Sequence, residues 1–439
     1  MYITRTIWPV GHGAFYTECL GFHHPNSLVT IVYDCGAKIK EIIEDNIDVF
    51  LKSLRKNTNG KPIVDYLAIS HFHKDHVNGL QYILDKADVK HLILPQFSEE
   101  VLAEAFIYNA QNTESTTECD IDSPVQQLIM GFLSQGAYSF ESRAQIIQIV
   151  PRHEASEQRS EGHIIEGENL PSNIESGSRI GVSNLSMSTA TSNAKSAQRW
   201  ILVPINLDYP KVNFQALLKD LNNLYKEKEN LPIYADNKVN WDNLRKLLMD
   251  VSPSKVKKCY EKHYGKNNAY SMPMYSGWEN PSFVLDENYL FDNHSTMWHR
   301  DLIPLMCFEH RIWHRYIDWL ERPLWNDYRQ FQCLYMGDFE TKTHFNELFN
   351  QLGPLWTEIG LQQIPHHVSE HNHNLHLYNG LHKICFGNID DAKDRSCSLS
   401  ILRSIYREGC LPLLVTEEDD AIAFTSMLYN ECPISMKTT

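Results

Sequence analysis

The chain has no apolar run long enough to cross a bilayer, and its first residues carry no basic segment followed by an apolar core. No membrane-spanning helix and no secretion signal are therefore expected, and the chain reads as cytoplasmic. Cysteines are few, 10 in 439 residues, and no two of them form a CxxC pair or a regular framework. That argues against a cysteine-built zinc site and a disulfide scaffold, and leaves reduced, mostly buried thiols. Positive charge is also short, with a formal net charge of -15. Binding of nucleic acid through bulk charge is disfavoured, which leaves room only for a local basic groove. No internal repeat is evident. The hydrophobic content of 42% is that of an ordinary globular chain, and the length allows two domains or one domain with a large insertion.

Strand and helix patterns alternate at both ends of the chain. Ile3 to Val10, Ala14 to Leu20 and Leu28 to Tyr33 read as a β-meander ending in Asp34-Cys35-Gly36. Apolar residues at helical spacing then mark a helix within Ala37 to Arg55. The strand Val64 to Ile69, a helix from Val77 to Asp88 and the strand His91 to Leu94 follow. This rhythm points to α/β layering. Residues 1–97 are read as the first half of a sandwich, and 98–265 as a mostly helical insertion. The insertion carries helices at Glu99 to Gln111, Pro124 to Gln135, Val212 to Lys226 and Trp241 to Met249. Strands are expected there only at Ile146 to Val150 and Trp200 to Ile205, because Glu154 to Gln198 is rich in Ser, Asn, Gly and Glu and reads as a surface loop. Residues 266–439 are read as the second half, interrupted by an irregular aromatic segment at 278–330. The tryptophans of that segment, Trp298 to Trp325, suit core packing or base stacking.

One stretch stands out against this background. After the strand at Val64, the residues His71, His73, Asp75 and His76 fall within six positions. Neutral imidazoles and carboxylates are the ligands that borderline divalent metals prefer. The alternative is a solvated His-rich loop in a chain with 21 His. A two-metal hydrolytic site also needs an acidic bridge and an open position for water. We assign His71 and His73 to one metal, and Asp75 and His76 to the other. Asp338, after Gly337 at a strand end, is the candidate bridge, although Gly-Asp is also an ordinary turn. His366 or His367, after Pro365, completes the second metal, with His371, His373, His376 and His382 close by in sequence. Asp34 either holds a ligating His through a hydrogen bond or caps a turn. The turn Gly11-His12-Gly13 lacks a following helix and so reads as a hairpin rather than a phosphate loop.

These residues resemble the metallo-β-lactamase superfamily, whose hallmark HxHxDH is matched from His71 to His76. The chain looks most like the branch containing the hydrolase domain of ComEC-type competence proteins. Its VGxGDA-like opening is matched by Val10 to Ala14, its DxG by Asp34 to Gly36, its TGD by Met336 to Asp338, and its PHHGS by Pro365 to Ser369. The resemblance implies an αββα sandwich of the metallo-β-lactamase fold and two divalent metal ions, Zn or Mn. It also implies a hydroxide held between the metals as nucleophile, with Asp75 as the catalytic residue that orients or deprotonates the water.

This chain departs from the pattern in three places. No third His for the first metal can be assigned; Asn268 to Ser271 resembles the Asn-x-x-Ser of the branch, and His263 and His294 are the fallback ligands. The Asp of the opening has no counterpart, and Val368 replaces the Gly after the His pair. The expected function is a metal-dependent hydrolase, a phosphodiesterase or nuclease acting on nucleic acid or a nucleotide, with a multi-component antiviral defence system as one setting for it. Its alternatives are hydrolysis of carboxylic ester, amide or thioester bonds, or a partner-binding subunit that docks other proteins through 98–265.

Overall fold

A computed structural model describes residues 2–21, 28–112, 118–134, 144–152, 164–166, 170–188, 197–207, 211–224, 233–235, 238–264, 271–279, 332–370, 373–378, 383–390, 398–418 and 423–428. Asn268, His294, His371, His382 and nearly all of the aromatic segment 278–330 lie outside them.

Two eight-stranded sheets carry the fold. The first runs β18 (Ala423–Leu428), β1 (Tyr2–Ile7), β2 (Gly13–Gly21), β3 (Val29–Ala37), β4 (Ile63–Ala68), β5 (Asp88–Pro95), β6 (Gln145–Val150), β8 (Asn173–Glu175). The second runs β17 (Leu411–Val415), β16 (Ile384–Asn388), β15 (Leu361–Gln363), β14 (Cys333–Tyr335), β13 (Met274–Trp278), β10 (Ala197–Pro204), β9 (Arg179–Ser188), β7 (Ile164–Ile165). Both are mixed. Strands β3 to β6 and β8 pair in parallel, as do β14 to β17, while β18, β1, β2 and β3 pair antiparallel. A small antiparallel ribbon, β11 (Tyr234–Ala235) with β12 (Lys238–Val239), stands apart from both sheets.

Side-chain alternation builds the layers. On β4 every residue is buried, as a central parallel strand covered on both faces requires. Tyr66 and Ala68 join the apolar cluster shared with Trp200, Leu202, Tyr335 and Phe386 of the second sheet, so that cluster lies between the sheets. Leu67 points the other way, into a cluster with Ile43, Ile47 and Phe50 of the helix Lys40–Lys52, which Val64 at the start of the strand also joins. The far face of the second sheet packs Leu334 and Cys385 against Leu348 of the helix Thr341–Leu352 and Ile401 of the helix Leu399–Arg407. The α/β expectation is met, with helices on both outer faces of two packed sheets.

Three local expectations change. The stretch Glu154 to Gln198, read as a surface loop, contributes β7, β8 and β9. Its Ile174, Ile180 and Val182 are buried between the sheets, so a few well-placed β-branched residues outweigh polar composition. The helix Pro253–Tyr264 was not foreseen, although Pro at its first position with Val256, Tyr260 and Tyr264 four apart on its buried face is a legible signal. The helix expected from Val77 is two short ones, Lys74–Val77 and Leu80–Lys86, so Asp75 and His76 sit on a helical turn rather than in a loop. Phe106, Phe132 and Phe214, from three helices of the stretch 98–265, belong to the same cluster as Val64 of the central strand. Among the described residues no helix is long and apolar enough to cross a membrane.

Candidate metal centre

The carboxyl ends of β4, β14 and β15 converge at one place, which is where ligands bind in open α/β sheets. After β4 the chain turns through His71 and His73 into the helical turn holding Asp75 and His76. That turn packs on Gly36, where a Cβ would come within 2.5 Å of the Asp75 carbonyl, so only glycine fits. After β14 the chain passes Gly337 at φ +53°, where a side chain would run into Ser271 and Ser70. The Gln363 side-chain oxygen accepts from the Met336 and Gly337 amides at 2.8 and 2.9 Å, and the Asp338 amide donates to Ser271 Oγ at 2.9 Å. Beyond β15, His366, His367 and Val368 take φ of 53°, 49° and 63° in succession. Left-handed backbone at a β-branched residue is strained. Burial of Val368 in the outer apolar cluster opposes that strain.

The result is a compact group. Asp75, His76, Asp338 and His367 bring one ligand atom each to within 4.8 Å of one another. His76 Nε2 lies 3.1 Å from Asp338 Oδ1, and His367 Nε2 lies 3.2 Å from Asp75 Oδ2 and 3.5 Å from Asp338 Oδ1. His71 Nε2 stands 3.9 Å from Asp338 Oδ2. Of the two candidates in the His pair, His367 is the buried member of the group, while His366 is nearer the surface with Nε2 3.7 Å from Asp338 Oδ2. The fallback ligand His263 is elsewhere, its Nε2 2.8 Å from Asp220.

Charge in the group is strongly coupled. Burial opposes ionisation of Asp338, but His76, His366 and His367 outweigh it and hold the carboxyl well below its usual range. Asp75 is likewise pulled down against burial by His76, His367 and His12. Burial acts against protonation of His76, yet Asp338, Asp75 and Asp34 raise its pKa well above the ordinary value. Burial drives His71 the other way, well below, with His76 and His73 adding to it.

A second ring of residues orients these ligands. Asp34 Oδ2 lies 2.8 Å from His76 Nδ1, Ser70 Oγ donates to the same oxygen at 2.8 Å, and the Ser70 amide donates to Oδ1 at 2.6 Å. Ser70 Oγ is also 2.9 Å from His71 Nδ1. Asp34 therefore holds the His76 imidazole in place rather than only capping a turn. The network assigns Nδ1–H to both rings, so that Nε2 is the atom through which each would ligate.

Two neighbours were not anticipated. His12 lies tilted against His367 with ring centroids 4.1 Å apart, and its Nε2 is 3.5 Å from Asp75 Oδ2. The nearby His367 and burial lower its pKa to about 4. Nothing in the Gly-His-Gly turn signals this placement, because it depends on the Asp390 carboxylate after β16, which accepts from the His12 amide at 2.9 Å. Glu104 approaches His73, Oε1 to Nε2, at 3.7 Å. Here a signal existed: Glu104 is the one charge in the run Leu102 to Ile107 on the helix Glu99–Gln111.

The donor set fits a divalent cation. Nε2 of His71, His76 and His367 and Nδ1 of His73 are buried and make no well-formed hydrogen bond, although carboxylate oxygens crowd the first three. Buried polar atoms that converge without hydrogen-bonding one another are what a ligand set leaves for an ion. No protein-family model matches the chain, and no curated protein matches it.

Proposed function

We propose that the protein is a metal-dependent hydrolase of the metallo-β-lactamase fold, a phosphodiesterase or nuclease acting on nucleic acid or a nucleotide. The observation that carries this reading is the buried Asp75–His76–Asp338–His367 group, with ligand atoms within 4.8 Å of one another. Two packed mixed sheets with outer helices and a site at their carboxyl ends support it. The resemblance of the motifs from His71 to His76, at Asp338 and at His366 to His367 adds the reaction type and substrate class.

In this reading Asp75, His76, Asp338 and His367 would hold one divalent ion, and His71 and His73, with Asp338, would hold a second. Zn or Mn suits an N/O donor set of this kind. Such an ion supplies Lewis acidity towards a phosphoryl oxygen and lowers the pKa of water. The chain does the rest. Asp75, the least buried member of the group, orients an attacking water through its ionised carboxylate. His12, uncharged near neutral pH, stands beside Asp75 where a departing or attacking oxygen would be hydrogen-bonded.

The test is hydrolysis of bis-p-nitrophenyl phosphate by purified protein, with and without added Zn or Mn, alongside a p-nitrophenyl ester and a thioester. Metal-dependent turnover of the diester, lost in His76→Ala and Asp338→Ala, is the expected result. Turnover of the ester or thioester alone would move the substrate class. No metal uptake by the wild type would end the hydrolase reading.

A further inference from the structure

Glu104 is 4% exposed and lies in a helical stretch whose neighbours Leu102, Ala103, Ala105, Phe106 and Ile107 are all buried. An ionised carboxylate in such a place is costly unless donors replace its water. Two groups approach its Oε1: the Tyr260 hydroxyl donates to it, and His73 Nε2 stands 3.7 Å away. The other ring nitrogen, His73 Nδ1, is buried with no hydrogen-bond partner.

We propose that Glu104 and Tyr260 form a positioning relay that makes His73 ligate through Nδ1. The proposal rests on the metal-centre reading above and goes beyond it by giving the helices within 98–265 a part in the site. A neutral imidazole has one N–H and one lone pair. With N–H directed at Glu104, the lone pair falls on Nδ1. The contact is about 0.7 Å longer than a typical direct hydrogen bond, and such contacts tighten when an active site is filled. Ring rotation that would exchange the two nitrogens is opposed by Tyr108, which stacks on His73 with centroids 3.5 Å apart and planes 10° apart. Tyr260, from the helix Pro253–Tyr264, in turn fixes Glu104. Both contacts use the same carboxylate oxygen, and an amide oxygen can take over both. A direct ligand role for Glu104 would instead need the negative charge.

That difference supplies the test. Cobalt(II) is titrated into metal-free wild type, Glu104→Ala, Glu104→Gln and Tyr260→Phe, read by visible absorption and by metal content after dialysis. Circular dichroism checks that each variant is folded. Glu104→Ala is expected to weaken cobalt binding on the His73 side by about 10- to 100-fold. Glu104→Gln is expected to stay close to the wild type, with Tyr260→Phe between the two. Equal losses in Ala and Gln would overturn the relay in favour of direct ligation. Wild-type affinity in Glu104→Ala would overturn any role for Glu104. Should the wild type itself take up no cobalt, the metal-centre reading falls and the relay with it.

Discussion

Asp34 Oδ2 and His76 Nδ1 lie 2.8 Å apart, both fully buried, and tie the end of β3 to the helical turn after β4. Asp34 holds this position with a backbone φ of 57°, left-handed backbone that Asp adopts more readily than most residues. Its other oxygen is bonded to the Ser70 amide, so one carboxylate orients His76 and anchors the loop that carries His71.

Replacing Asp34 should therefore affect the metal more than the fold. Asp34→Ala is expected to weaken divalent metal binding by about 10- to 100-fold. Asp34→Asn, which keeps an oxygen facing Nδ1, should lose less. Competition with a chromophoric chelator measures both, and unchanged affinity in the alanine variant would reduce Asp34 to a structural role.

Metal should stabilise the folded protein through the same group. At a free metal concentration of 100 times Kd the gain is about 2.7 kcal/mol, which appears as a rise in Tm. Asp338→Ala and His76→Ala remove atoms from the centre of the group and should abolish the rise. A full metal-induced shift in either variant would place the metal elsewhere.

Protons and metal should compete for His76. Its pKa is raised well above 6.5, against burial, by Asp338, Asp75 and Asp34. At pH 7 the metal-free ring thus carries a proton that ligation must expel. Calorimetric titrations in buffers of different ionisation enthalpy should show proton release at pH 7 that shrinks at higher pH. For the metal-free protein the sign is opposite: the stabilisation from a raised His pKa is complete below about 6.5 and is lost as pH rises through the folded value. Metal-free protein should accordingly lose that part of its stability in alkali, and buffer-independent heats would contradict the proton-release argument.

A buried ion pair between the sheets offers a contrast remote from metal binding. Arg5 Nε donates to Glu18 Oε1 at 2.8 Å, and Glu18 also accepts from Ser276 Oγ and the Tyr335 hydroxyl, each at 2.7 Å. Glu18→Ala leaves a buried guanidinium without its counter-charge and should cost about 3–5 kcal/mol, read from the urea midpoint. Metal affinity of the folded fraction should be unchanged.

Much of this architecture is legible from local patterns. The strands at Val64 and Trp200 and the helices at Glu99, Pro124 and Trp241 fall within a few residues of their expected places, because apolar periodicity reports which face is buried. The helix Pro253–Tyr264 and strands β7 to β9 escaped notice where sparse apolar residues sit in polar sequence. In the site, Asp75 and His76 are legible because their spacing is local. Asp338 and His367 are readable only as residues at strand ends, and neither sequence neighbourhood says that they meet.

The sequence by itself determined the ligand chemistry: imidazoles and carboxylates at close spacing after a buried strand, in a chain without cysteine pairs to offer a different site. Tertiary structure alone decided which of them share a centre. It chose His367 as the buried partner of Asp338, put Asp34 behind His76, and brought His12 and Glu104 beside the group from separate elements. The physical reason is that ligand type is a property of single side chains. Distance between remote side chains is set by strand order, by parallel pairing that aligns carboxyl ends, and by the packing of two sheets across one apolar layer.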